Sequence, residues 1–152
     1  MPRMDAEEAR RRFAAARVAR LATVDPAGRP HLVPVVFAVP DGGTIVTAVD
    51  RKPKSTTRLK RLRNMAAHPW VCLLADAYDE DWTRLWWARA DCRARVLPAG
   101  GTDEAADAGR RREREEALAL LRRKYPQYTD QPPGGAVVAL SVRRWTGWSA
   151  NP

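Results

Sequence analysis

What most limits the fold is a succession of short extended runs separated by turn-forming residues, with no regular return to helix between them. VARLATVD (18–25) and HLVPVVFAV (31–39) flank the turn Pro26-Ala27-Gly28, which predicts a β-hairpin. Pro34 removes a ladder donor in the middle of the second run, so that strand is expected to be bulged or to lie at an edge. Asp41-Gly42-Gly43 turns the chain into the short strand TIVTAV (44–49). WVCLLADA (70–77), a long run from Thr83 to Leu97 and the terminal AVVALSVRRWTGW (136–148) complete six extended segments. Regular strand–helix alternation, GxGxxG and GxxxxGKS are all missing, which argues against a doubly wound nucleotide-binding fold.

Three helices are expected around these strands. Asp5 with Glu8 reads as a capping box opening a helix that runs to about Arg17. Thr57 to Ala67 sets Leu59, Leu62 and Met65 on one side, and His68-Pro69 stops it because the residue before proline is pushed out of the helical region. Leu118, Leu121 and Tyr125 recur with helical spacing in a third segment from about Asp103 to Tyr125. The order suits a mainly β, six-stranded small barrel with flanking helices, and 152 residues suit a single domain over 1–152.

Composition narrows the function classes. No apolar run approaches the roughly 20 residues of a membrane-spanning helix, and MPRMDAEEARRRF lacks the apolar stretch of a signal peptide, so the expectation is a cytoplasmic protein with no membrane partner. Cys72 and Cys92 have no CxxC spacing and read as inert thiols inside strands. His31 and His68 lack ligand-spaced companions, so no metal is expected. A net charge of +9 points to an anionic partner without naming it. Only four of the 27 basic residues are lysines, and Lys52, Lys54 and Lys60 fall within nine residues, which makes that cluster the more informative feature. Aromatics do not interleave with it as stacking platforms would, so nucleic-acid binding is disfavoured. The run RRREREE (110–116) reads as a solvated helix face.

In DRKPKSTTRLKRLRN (50–64), lysines, hydroxyl residues and a helix N-terminus coincide, three devices that favour phosphate. A solvated basic loop is the plain alternative. At this segment the chain resembles the pyridoxamine-phosphate-oxidase-like family, and within it the coenzyme F420-dependent (deazaflavin) reductases. Four pieces carry the likeness: RLATVDPAGRPHLVPVVF (20–37), TIVTAVDRKPKSTTRLKRLRN with AAHPWVCLLAD (44–76), WWARADCRARVL (86–97) and VVALSVRRWTGWSA (137–150).

The resemblance implies a split β-barrel of the FMN-binding type, whose homodimer interface forms two cofactor clefts. It places the tricyclic ring against Val33, Pro34, Val35 and Val36 of the second strand and Thr47, Ala48 and Val49 of the third. The phosphate falls to Lys52, Lys54, Ser55, Arg58 and Arg61, and Trp145 and Trp148 either cover the ring across the interface or pack in the core. Arg61 stands where relatives often carry Lys, and Ala48 where FMN members often carry Asn. The implied activity is two-electron hydride transfer between coenzyme F420 and a small unsaturated molecule. An FMN oxidoreductase and a non-catalytic flavin- or deazaflavin-binding protein are the alternatives.

Overall fold

A computed structural model describes residues 3–40, 43–49, 56–99 and 108–151, with the side chains of 56–59 outside the description. In chain order the elements are β1 (Arg3–Met4), α1 (Ala6–Ala15), β2 (Ala19–Val24), β3 (Pro30–Val35), β4 (Thr44–Ala48), α2 (Thr56–Ala67), β5 (Trp70–Ala77), β6 (Trp86–Leu97), α3 (Ala108–Lys124), α4 (Gln127–Asp130) and β7 (Val137–Ser149). The strands form one antiparallel sheet in the order β1-β7-β6-β5-β2-β3, with β4 on β7. Beyond β3 the chain returns to β4, where Ala38 and Val46 exchange both backbone hydrogen bonds at 2.9 Å. That single bridge closes β2, β3, β4, β7, β6 and β5 into a six-membered ring of strands, and β1 is appended to β7.

Local chemistry explains most boundaries. Asp25 Oδ1 accepts the backbone N–H groups of Ala27 and Arg29 at 2.9 and 2.8 Å, and Gly28 takes φ +83°, so the β2–β3 turn is tied from within. The Arg29 and Ala27 bonds hold the Asp25 carboxyl below its usual range against the opposing effect of desolvation. Pro34 lies on the terminal strand β3, which among the described residues pairs only with β2, so its missing donor interrupts no inner ladder. Asp5 caps α1 by accepting Glu8 N at 2.8 Å, but the other half of the expected box is redirected. The Glu8 carboxylate is taken by Arg11 and Arg12 at 2.7 Å.

Other expectations shift more. Residues 82–84 form a 3-10 turn instead of opening the long strand, because Asp81 caps Thr83 through both its N–H and its hydroxyl. The stretch after Tyr125 holds the short helix α4, and α3 begins its description at Ala108, with 100–107 outside the described residues. Within α3, Glu113 reaches across to Arg95 at 2.6 Å, and Arg114 Nη1 is buried, so the 110–116 run is not uniformly a solvent face.

The barrel core gathers Leu21, Leu73, Ala88, Ala90 and Leu140 around Phe13 of α1, whose ring meets Phe37 at 4.8 Å and Trp145 at 5.3 Å. Two buried phenylalanines with a partly buried tryptophan against them are a large share of a small core. Gly147 lets α1 approach, since a Cβ there would stand 3.1 Å from Ala9 Cβ. A second cluster packs Leu121 of α3 and Tyr125 just after it on Val46, Ala48, Leu97 and Val137. Asn64 pins α2 to β2 by donating to Thr23 Oγ1 at 3.1 Å, both residues being buried.

Candidate functional site

The split in the barrel lies between β3 and β4, where one bridge replaces a ladder. The reason is visible in the chain: from Val36 to Val39 the backbone leaves β2 and is held by side chains instead of by a neighbouring strand. Thr47 Oγ1 donates to Val36 O at 2.7 Å. The Tyr125 hydroxyl accepts Phe37 N–H at 3.1 Å and lies 2.9 Å from Phe37 O and 3.0 Å from Arg17 O, two acceptors for its one proton. Burial is the larger influence on Tyr125 and pushes its hydroxyl above the usual range.

Around this hub sit two cations. Arg17 lies 4.8 Å from the Tyr125 ring centre and donates to Lys124 O at 2.9 Å. Lys124 Nζ stands 3.8 Å above the Phe37 ring and donates to Ala14 O at 3.2 Å. Burial, followed by the nearby Arg17 charge, lowers the Lys124 ammonium to about 8.

The expected ring-binding residues therefore converge. Val33, Pro34, Val35 and Val36 run along the open edge of β3 and just past it, and Thr47, Ala48 and Val49 stand beside them on and after β4. Val35, Thr47, Ala48 and Val49 are buried, whereas Pro34 is exposed. Both backbone groups of Val49 are already used, its N–H by Ala136 O at 2.8 Å and its carbonyl by Gly135 N–H at 2.9 Å. A planar ring at the split would then be held by contact along the strands and by the unpaired edge of β3, with little left for Val49 to donate.

Lys52, Lys54 and Ser55 lie outside the described residues, and Arg58 is on α2 with its side chain undescribed. Arg61 is half-buried on α2. Trp148 is not brought to the split within one subunit. Its strand pairs with β4 only through 137–141, and Trp148 itself faces Arg3 and Trp87 at the opposite end. Sequence reasoning missed the Tyr125 hub, because helical spacing marked Tyr125 only as an apolar position. A buried tyrosine that needs a partner for its hydroxyl was the available signal.

The two histidines lie on β3 and at the end of α2. His31 is opposite Thr23 on β2, and His68 closes α2 through a hydrogen bond from its N–H to Asn64 O at 2.7 Å. Among the described residues, no group of three or more His, Cys, Asp or Glu side chains is set to hold a metal ion. Burial is the first influence on both cysteines, raising Cys72 and pushing Cys92 up to about 12. No helix among the described residues is long and apolar enough to cross a membrane.

Comparison with known proteins agrees on the architecture. A FAD-binding protein from Mesorhizobium loti superposes with a TM-score of 0.69 at 21% identity, covering 95% of this chain and 94% of that one. The FAD-binding protein from Mycobacterium smegmatis gives 0.57 at 18%, covering 97% and 95%. The heme storage protein from Vibrio cholerae gives 0.65 at 16%, covering 96% and 95%. No curated protein matches. At such identities the likeness is one of fold. The pyridoxamine 5'-phosphate oxidase family, by contrast, is matched in sequence across residues 6–149, nearly the whole chain, and the chain belongs to it.

Proposed function

We propose that the protein is a homodimeric oxidoreductase that binds a deazaflavin of the coenzyme F420 type, with FMN as the alternative, at the split between β3 and β4. The observation that carries the reading is the open β3 edge lying against Thr47 and Ala48, with the backbone between them strapped by Tyr125 and Thr47. Such an edge offers unpaired backbone groups beside a buried apolar wall, which suits a planar ring that has polar atoms along one side. Similar structures that bind FAD support a ring of flavin type. Ala48, standing where FMN-binding members often carry Asn, favours the deazaflavin.

When bound, the deazaflavin supplies a two-electron hydride exchange with a small unsaturated molecule. The chain's own part is binding and orientation. Val33 to Val36 and Thr47 to Val49 hold the ring, and Lys52, Lys54, Ser55, Arg58 and Arg61 take the phosphate. Trp148 closes the site from the partner subunit, since it lies far from the split in its own. The dimer reading also draws on the outer sheet face, where Leu32 and Trp70 remain 66% and 59% exposed in one chain. No proton donor is assigned.

Side-by-side fluorescence titration with coenzyme F420 and FMN tests the reading. Lys54→Ala should raise the dissociation constant about ten- to a hundred-fold, as loss of a charge-assisted hydrogen bond to phosphate does, with the melting temperature unchanged. Arg111→Ala, on the exposed side of α3, is the control. Unchanged affinity in a folded Lys54→Ala protein would refute the phosphate assignment. Sedimentation showing a strict monomer at about 10 μM, where a standard interface stays closed, would refute the two-subunit site.

A further inference from the structure

The open edge of β3 is short of donors. In an antiparallel pair, residues that exchange backbone hydrogen bonds with the neighbouring strand alternate with residues whose N–H and C=O point the other way. Arg20 of β2 stands opposite Pro34, and a proline has no N–H to exchange, so this is a pair of the second kind. The alternation puts Ala22 with Leu32 and Val24 with Pro30 in the same class, and Leu21 with Val33 and Ala19 with Val35 in the other. The backbone groups of Pro30, Leu32 and Pro34 therefore point away from β2, along the edge that borders the split.

Both prolines of β3 thus fall on edge-facing positions, each with a ring methylene where an N–H would stand. Within the strand the edge presents the carbonyls of Pro30, Leu32 and Pro34 and the single N–H of Leu32. Further along, Val36 spends its carbonyl on the Thr47 hydroxyl at 2.7 Å, and Phe37 turns both backbone groups to the Tyr125 hydroxyl. The carbonyls of Leu32 and Pro34 follow one another with no donor between them, and the next N–H on this side belongs to Val36. On an ordinary strand edge donors and acceptors alternate, so a ring atom lying against Pro34 would meet an N–H. Here it meets a methylene flanked by two carbonyls.

We propose that Pro34 is a specificity-determining residue of the cofactor site: it favours a ring that carries C–H or N–H at its central edge over oxidised flavin, which carries a bare nitrogen lone pair there. The proposal rests on the cofactor reading given above and adds its selectivity. A ring seated against Val35, Thr47 and Ala48, all buried, is withdrawn from water on that side. A lone pair facing carbonyls then gains no bond for the hydration it loses, whereas a C–H makes a weak contact with the same oxygens.

Flavin mononucleotide and its 5-deaza analogue separate the possibilities, because they share the phosphate tail and differ at one ring position, nitrogen in the first and C–H in the second. Fluorescence titration of the purified full chain with each is the test. The parent should bind the deaza analogue about ten-fold more tightly, the scale of one buried acceptor left without a partner. Pro34→Ala restores the N–H, so it should tighten FMN about three- to ten-fold and leave the deaza analogue within about two-fold. Pro30→Ala, about 13 Å further along the strand, should change neither. Equal affinity for the two ligands, or tighter FMN, overturns the proposal and leaves the cofactor reading intact. So does a Pro34→Ala protein whose two affinities move together, since the proline would then act through shape alone. A parent that binds neither ligand also overturns it, and one that ignores coenzyme F420 as well overturns the cofactor reading with it. If Pro34→Ala does not fold, the comparison in the parent still decides.

Discussion

Removing one oxygen atom at Tyr125 should loosen the strap that spans the barrel split. In Tyr125→Phe the ring still packs in the α3 cluster, so the change isolates the hydroxyl. Phe37 is 0% exposed, and its N–H and carbonyl both lie within reach of that oxygen. Arg17 O, on an exposed residue, can turn to water instead. Each buried group left without a partner costs about 1–3 kcal/mol, and because the Phe37 carbonyl shares the one hydroxyl proton with Arg17 O and loses less than a full bond, the loss falls in the lower part of the two-group sum, near 2–4 kcal/mol. For about 150 residues this is a fall of roughly 5–12 °C in melting temperature. Urea unfolding should show a lower midpoint with an unchanged slope, the mark of a stability change without a change in surface exposed. Thr47→Val, which removes the donor to neighbouring Val36 O, should combine with it non-additively because both act on one backbone segment. A loss under about 0.5 kcal/mol, or full additivity, would refute the idea that side chains replace the missing ladder there.

Three further outcomes are expected. Lys124 holds its proton less tightly in the folded protein, down to about 8, than in the unfolded chain, so between pH 8 and 9 stability should rise with pH. Above pH 9 the buried thiol of Cys92, raised to about 12, acts in the opposite direction, so denaturant midpoints compared between Lys124→Met and the parent over pH 7–9 are the test, and equal slopes would refute it. Gly135→Ala would put a Cβ 2.4 Å from the Val49 carbonyl oxygen, a backbone atom that cannot move aside cheaply, and should cost about 1–3 kcal/mol in urea unfolding. Gly147→Ala should cost less, because its closest obstacle is the flexible Met4 side chain at 2.9 Å from Sδ; a larger loss at Gly147 would reverse that ranking.

The strands were legible because alternation and turn chemistry agree along the chain. WVCLLADA is a strand over its whole length, and Pro34 is on the end strand its missing N–H demands. The two-residue strand Arg3–Met4 was not, since so short a run has no period to detect. Thr83 and Arg84 read as the start of the long strand because the run continues into it without a turn signal, whereas a local Asp81 cap decides the matter. The segments proposed to bind the ring were recognisable only through family likeness. Composition says nothing of which strand edge stays open.

The long strand β7 pairs with β6 over nearly its full length, with β4 at one end and with β1 at the other. Its partners come from residues 3–4, 44–48 and 86–97, while β7 itself spans 137–149. A nascent chain lacking those residues holds β2, β3, β5 and β6 as a pairable meander but leaves β4 without a neighbour strand and α1 without the wall that Phe13 packs against. During synthesis the exposed edges of β4 and β6 must wait for the last strand, and that interval is when misassembly threatens. Closure over sequence separations this large is slow, so a chaperone that shields strand edges should act on this protein before β7 has emerged, and have little to hold afterwards.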